Sequence, residues 1–206
     1  MKIAMIMLAA GNSRRFGANK LLYEVDGIPM YRHVLGQLIQ VKRQLEEGLN
    51  RTYTGNLPDI KCRIAVVTQY DSIAETAVEQ GIQVLYNPHP EKGISSSLKI
   101  GLNANLDADA ALFTVSDQPW LTCDTICKLI QTFLDSGKEI AGISCQGKMG
   151  NPCIFSKKYY EELLSLEGDK GGKRVIMKHL DDTQIYEIET GRELEDIDYY
   201  ESIAVH

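Results

Sequence analysis

Short apolar runs alternate with helix-like stretches along most of the chain. Residues 3–8, 64–68, 83–86, 110–115, 140–144 and 153–155 are apolar runs bounded by Gly, Pro, Asp or Asn. Their apolarity is continuous rather than alternating, which predicts strands covered on both faces, as in a parallel sheet. Between them the apolar positions follow helical spacing. Val34, Leu38 and Val41 mark a helix near residues 29–47; Leu98, Leu102 and Leu106 mark a second; Ile126, Ile130 and Leu134 mark a third that starts near Thr122. Strand and helix in alternation predict an α/β, Rossmann-like, mostly parallel sheet with helices on both faces.

Residues 48–61 carry Gly, Asn, Thr and Pro with little periodicity, and read as a surface insertion. Past Gly147 the pattern loosens into Gly-rich joints and a short acidic stretch at 187–201. We expect one domain over residues 1–206, with a first half at about 1–120 and a lid region at about 145–206 on the same core. The apolar run 3–10 after Met1-Lys2 is too short for a membrane helix and is followed by Arg14, Arg15 and Lys20, so it reads as a buried first strand.

Composition narrows the partners. The 206 residues are 44% hydrophobic and 24% charged, an ordinary balance for a globular chain with a real core. A formal net charge of −6 disfavours a broad nucleic-acid-binding face, although a few cations and N–H groups could still hold a small polyanion. Five scattered cysteines form no disulfide framework and fit a reducing, cytoplasmic setting. No membrane partner is expected.

Four clusters could carry chemistry. Leu8-Ala9-Ala10-Gly11-Asn12-Ser13-Arg14-Arg15-Phe16-Gly17-Ala18-Asn19-Lys20 directly follows the first strand. Its small residues let backbone N–H groups approach an anion, with Arg15 and Lys20 supplying charge; the alternative is an ordinary strand-to-helix turn. It is neither a Walker loop nor a dinucleotide G-x-G-x-x-G. Ser116-Asp117-Gln118-Pro119 closes another strand, where Asp117 is either half of a Mg²⁺ site or a turn or N-cap residue. Ser95, Ser96 and Ser97 open a helix after Asn87 and Gly93, either as caps or as readers of a base or sugar edge. In the last third, Asn151, Asp169 and the pair Asp196 and Asp198 are further candidates. Cys123 and Cys127 lie one turn apart without a completing His or Cys pair, and the four histidines assemble no triad. Trp120 and the tyrosines, Tyr70 among them, read as packing residues.

In this order the motifs resemble the MobA-like nucleotidyltransferases, and within them the molybdenum cofactor cytidylyltransferases (MocA-like). The family's L-A-A-G-x-S-x-R-x-G-x-x-K is matched by Leu8, Ala9, Ala10, Gly11, Ser13, Arg15, Gly17 and Lys20; Asn87, Gly93, Ser97 and Leu98 match its Asn and G-x-x-x-S-L; Asp117, Gln118 and Pro119 match its D-Q-P. The resemblance spans nearly the whole chain. It implies a glycosyltransferase-A-type fold, bound Mg²⁺, and transfer of CMP from CTP to the terminal phosphate of molybdenum-carrying molybdopterin, with release of pyrophosphate. It implies nucleotide contacts at Leu8, Ala9, Ala10, Gly11, Ser13, Arg15, Lys20, Ser96 and Ser97. Arg15, Lys20 and Asp117 would be catalytic, Asp117 and Asp198 would hold metal, and Asn151 and Asp169 would face the acceptor. Ala9-Ala10 resembles the cytidylyl pattern, where guanylyl relatives carry a Gly pair.

Three positions depart from the family. Asn151 stands for the His of G-H-P, Gly172-Lys173 for a frequent Ala-Arg, and Tyr199-Tyr200 for Thr-Pro in the tail motif. All three fall on the acceptor side, which keeps open another phosphorylated acceptor, such as a sugar phosphate or phospho-acid. A nucleotide-binding maturation factor that docks on a molybdenum hydroxylase without turnover is the third reading.

Overall fold

The computed structural model describes residues 1–11, 19–47 and 59–197. The strands are β1 (Lys2–Ala9), β2 (Glu24–Val25), β3 (Ile28–Pro29), β4 (Lys61–Thr68), β5 (Gln83–Tyr86), β6 (Ala110–Val115), β7 (Ile140–Cys145), β8 (Lys148–Ser156) and β9 (Thr183–Glu187). The helices are α1 (Met30–Glu46), α2 (Asp71–Glu79), α3 (Ile94–Asn103), α4 (Cys123–Ser136), α5 (Tyr160–Leu164) and α6 (Lys173–Ile176). Seven strands form one sheet in the order β5-β4-β1-β6-β8-β7-β9, while β2 and β3 make a separate small hairpin. Within the sheet β5, β4, β1 and β6 run parallel, as do β7 and β9; β8 runs antiparallel to both of its neighbours.

The continuous apolarity of β1 has the expected cause. Its Met5, Met7 and Ala9 face one layer of core and Ala4, Ile6 and Leu8 the other. The first layer is covered by α1 through Val34, Leu38 and Val41, by α2 through Ile73 and Ala77, and by α4 through Ile126 and Ile130. The second is covered by α3 through Leu98 and Leu102, with Leu163 of α5 and Val175 of α6. Helices therefore lie on both faces of a mostly parallel sheet, as the alternating pattern predicts. Among the described residues no helix is long and apolar enough to cross a membrane.

Several local expectations are corrected. Helix α3 ends at Asn103, so Leu106 lies beyond it in a turn, largely exposed, rather than completing the apolar stripe. The serines at its start cap nothing: the N-cap is Gly93, and no side chain bonds the free N–H groups there. Strand β8 begins at Lys148, five residues before the apolar run suggested, because its first half is only half buried. Of the stretch expected as a lid, β8 is an interior strand and β9 an edge strand of the same sheet. The proposed insertion at 48–61 falls outside the described residues as far as 58.

Strand β9 is anchored by one carboxylate. Asp182 accepts from Lys158 Nζ at 2.6 Å and Tyr159 Oη at 2.8 Å, and its other oxygen accepts the Glu139 N–H at 3.3 Å. The Lys158 bond, then the Tyr159 bond, lower the Asp182 carboxyl to about 2. That lies below the unfolded value of about 3.9, so the stabilisation is present above pH ~4 and is lost as the pH falls toward 2. Asp182→Asn should lower the neutral-pH melting temperature by about 2–4 °C, the effect of roughly 1 kcal/mol on a chain this size. The gap to wild type should close as unfolding is followed from pH 4 downward; a gap independent of pH would show that the carboxylate is not the source.

Candidate functional site

Strands β1, β4, β5 and β6 end together at one rim. Ala9 is level with Thr68, Thr68 with Tyr86, and Leu8 with Val115. The residues that follow these strands meet there, which is where ligands bind in open α/β sheets.

At the end of β1 the backbone is tied down by side chains. The Leu8 carbonyl accepts from Ser116 Oγ at 3.0 Å, that of Ala9 from Thr68 Oγ1 at 3.0 Å, that of Ala10 from Gln69 Nε2 at 2.8 Å, and that of Gly11 from Tyr70 Oη at 2.7 Å. Thr68, fully buried, also accepts the Tyr70 N–H at 3.0 Å. Sequence reasoning found the tethered residues but not three of the tethers. Thr68, Gln69 and Tyr70 had a signal only in their place, polar groups directly after an apolar strand, and Tyr70 had been read as packing.

Lys20 and Asp117 are brought together from 97 residues apart, with Nζ 2.8 Å from Oδ2 and side chains 12% and 22% exposed. Lys20 is placed by a 3₁₀ turn over Lys20–Leu22, in which Leu21 is buried and Asn19 accepts the Leu21 N–H at 3.1 Å. Asp117 is not the N-cap of α4. That place belongs to Thr122, which accepts from the Thr125 N–H. Next in sequence to the ion pair, Asn19 Nδ2 and Gln118 Oε1 are buried with no hydrogen-bond partner among the described residues.

Ser96 and Ser97 are held at the rim by Asn87, whose Nδ2 donates to both hydroxyls at 2.8 Å. Asn87 is itself buried and accepts the His89 N–H at 2.9 Å. Asp169 lies against this loop. A Cβ on Gly93 would sit 2.4 Å from the Gly168 carbonyl carbon and 2.5 Å from Asp169 Oδ1, and Gly93 has φ +84°. Only glycine allows that approach. The Ser95 N–H donates to the Gly168 carbonyl at 3.1 Å, completing the junction. Asn151 sits on β8, half buried, two residues before Cys153, the partner of Phe113 on β6.

The segment 191–197 crosses this end of the sheet. Gln118 Nε2 donates to the Leu194 carbonyl at 3.3 Å and to Asp196 Oδ1 at 2.8 Å, and the Ile197 N–H donates to the Asp117 carbonyl at 3.1 Å. Glu193 accepts from Thr122 N–H and hydroxyl, and the Arg192 guanidinium lies 4.7 Å over the Trp120 ring. Leu194 fills the space a Cβ on Gly150 would need, 2.6 Å away. Asp196 thus serves Gln118. Ser13, Arg15 and Asp198 lie outside the described residues.

No set of three or more His, Cys, Asp or Glu side chains among the described residues is placed to hold a metal alone. The Cys123 and Cys127 sulfurs are 4.0 Å apart, without a His or further Cys set around them. Lys20 with Asp117 makes a polar, partly shielded mouth beside a loop of small residues, a setting suited to a phosphorylated ligand and an accompanying cation.

Comparison with known proteins places the chain in a family. Over 194 residues the chain is 25% identical to the purine catabolism protein PucB of Bacillus subtilis, covering 94% of this chain and 90% of that one. A 38-residue stretch, 18% of this chain and 20% of the other, is 47% identical to a probable molybdenum cofactor guanylyltransferase of Pyrococcus horikoshii. The fold is shared with a nucleotidyl transferase from Methanothermobacter, at a TM-score of 0.74 and 18% identity over 98% of this chain and 94% of that one. It is shared too with CMP:2-keto-3-deoxy-manno-octonic acid synthetase complexed with CTP, at 0.73 and 12% identity over 99% and 96%. The MobA-like NTP transferase domain model matches residues 5–183, and the chain belongs to that family of nucleotidyltransferases.

Proposed function

We propose that this nucleotidyltransferase moves CMP from CTP to the terminal phosphate of molybdenum-carrying molybdopterin, releasing pyrophosphate, with Mg²⁺ as its metal. The observation that carries the reading is the Lys20–Asp117 pair at the rim beside Ala9–Gly11. Support comes also from the kinship with a probable molybdenum cofactor guanylyltransferase and from the Ala9-Ala10 pair.

The residues fit the metal. Asp117 has one carboxylate oxygen already facing a cation, and Mg²⁺ commonly takes one or two carboxylates with substrate phosphates completing its shell. Asp117 would hold it, with Asp198 as the expected partner. Bound there, Mg²⁺ would neutralise charge on the phosphate oxygens.

The acceptor phosphate is already ionised near pH 7, its second pKa being about 6, so the reaction needs no strong general base. An oxygen of that phosphate attacks the α-phosphorus of CTP, and the bond from the α-phosphorus to the bridging oxygen breaks as pyrophosphate leaves. Lys20 and Arg15 hold the triphosphate and offset the charge that gathers on it, while Ala9–Gly11 seat the nucleoside and Ser96 and Ser97 line its other side. Catalysis is alignment plus charge stabilisation. Asn151 and Asp169 face the acceptor. The protein would work in the cytoplasm and pass its product to a molybdenum hydroxylase by transient docking.

A second reading keeps the nucleotide and changes the acceptor to a sugar phosphate or phospho-acid. Asn151 in place of the family His favours it. A maturation factor without turnover is the remaining alternative.

Thermal unfolding with CTP, GTP, ATP or UTP, each with and without Mg²⁺, tests the nucleotide half. CTP at about 100 times its dissociation constant should raise the melting temperature by about 5–11 °C, and only with the metal. A shift without turnover would bring the maturation factor forward, and no shift with any nucleotide would overturn all three readings. In turnover assays with molybdopterin, Lys20→Ala and Asp117→Ala should each lower kcat by about 10²–10³ while the fold is retained. Near-wild-type turnover in either variant would remove the assignment. Turnover with a sugar phosphate but not with molybdopterin would select the second reading.

A further inference from the structure

Three consecutive carbonyls, those of Ala9, Ala10 and Gly11, are all drawn to the β4 side of β1, by Thr68, Gln69 and Tyr70. In a regular strand successive carbonyls alternate from side to side, and up to Ala9 they do: the Leu8 carbonyl goes to Ser116 on the β6 side. The alternation stops at Ala10. Because a trans peptide sets each C=O opposite the next N–H, turning the Ala9 and Ala10 carbonyls toward β4 turns the N–H groups of Ala10 and Gly11 toward β6 and Asp117. The strand end therefore offers donors on the Asp117 flank and has its acceptors turned to the other side.

We propose that Gln69 and Tyr70 set nucleobase selectivity, by fixing this donor pair and withdrawing the carbonyls of Ala10 and Gly11 from the base. The inference rests on the reading that the base lies against Ala9–Gly11. Cytosine presents two adjacent acceptors, O2 and N3, which match two N–H donors. The corresponding edge of guanine presents two adjacent donors, N1–H and the 2-amino group, which need the carbonyls that Gln69 and Tyr70 hold. Uracil interrupts its acceptors with N3–H, and adenine carries a single ring acceptor beside its amino group. Mismatched donors facing donors lose their bonds to water without replacement, which is how a polar site rejects a near-isostere.

Both tethers are well placed for the task. Tyr70 is the N-cap residue of α2, its ring packs against the core, and its backbone N–H is held by Thr68. Gln69 lies between Tyr70 and the last residue of β4, half buried. Each is a positioning residue that acts through the backbone it holds.

The test is a set of binding titrations of CTP and GTP with Mg²⁺ on wild type, Tyr70→Phe and Gln69→Leu, with thermal unfolding as the control for folding. Tyr70→Phe removes one oxygen and keeps the ring. Wild type should prefer CTP. In each variant the ratio of the GTP to the CTP dissociation constant should fall by about fivefold to tenfold, the worth of one hydrogen bond, with the unfolding temperature nearly unchanged in Tyr70→Phe, whose Gly11 carbonyl is exposed, and lowered by a few degrees in Gln69→Leu, which leaves the buried Ala10 carbonyl without its donor. A ratio that stays at the wild-type value in both variants overturns the proposal, even if both nucleotides weaken together. So does a wild-type preference for GTP. Wild type that binds no nucleotide overturns the functional reading as well, and the wild-type titration alone reveals that case.

Discussion

A carbonyl at the end of a buried strand has lost its ladder partner and cannot turn to water, so it must find another donor. Four carbonyls stand in a row at the end of β1, those of buried Leu8, Ala9 and Ala10 and of exposed Gly11, and side chains from the ends of β4 and β6 bond every one. Most of the candidate site follows from that constraint. It sets the direction of the peptide planes from Ala9 to Gly11. It explains why small residues suffice at Ala9, Ala10 and Gly11, whose backbone is held by its neighbours. It also makes the polar residues after β4 part of the site, although none of them belongs to a motif.

The opposite flank is organised by the same economy of polar groups. The D-Q-P turn after β6 is held from behind by residues 191–197, which take the Gln118 amide and donate to the Asp117 carbonyl. Leu194 occupies the gap left by Gly150 at the start of β8, so the turn that carries the acidic group and the strand that carries Asn151 share one support. On the far side, Gly93 lets Gly168 and Asp169 rest directly on the loop that opens α3. Groups expected to face the nucleotide and groups expected to face the acceptor are thus built into each other. A nucleotidyltransferase requires as much, since its two substrates must react across a bond length.

How far the fold was legible depended on burial. Strands β5 and β6 were read at their observed limits, and β1 and β7 within a residue or so, because in β1, β6 and β7 both faces are buried and the run is apolar throughout. Strand β9 was missed because its Thr183-Gln184-Ile185-Tyr186-Glu187 carries little apolar signal, whereas β5, the other half-exposed edge strand, has the consecutive Val84, Leu85 and Tyr86. The first half of β8 was missed for a similar reason. Leu106 was misplaced because i+4 spacing continues past the residue where α3 stops.

For the site, the sequence alone determined the types of group and their order: a small-residue loop, a lysine, serines opening a helix, and a carboxylate closing a strand. Those are local properties, written in consecutive residues and matched by a family pattern. Only the tertiary structure decided which of them meet. The sheet order sets β4 and β6 on either side of β1, and so gives Tyr70 to Gly11 and Asp117 to Lys20 across 59 and 97 positions. It gave the serines to Asn87 rather than to the helix they open, and Asp196 to Gln118. Hydrogen bonds over such separations leave no periodicity and no spacing rule, because the partner is chosen by the packing of the sheet.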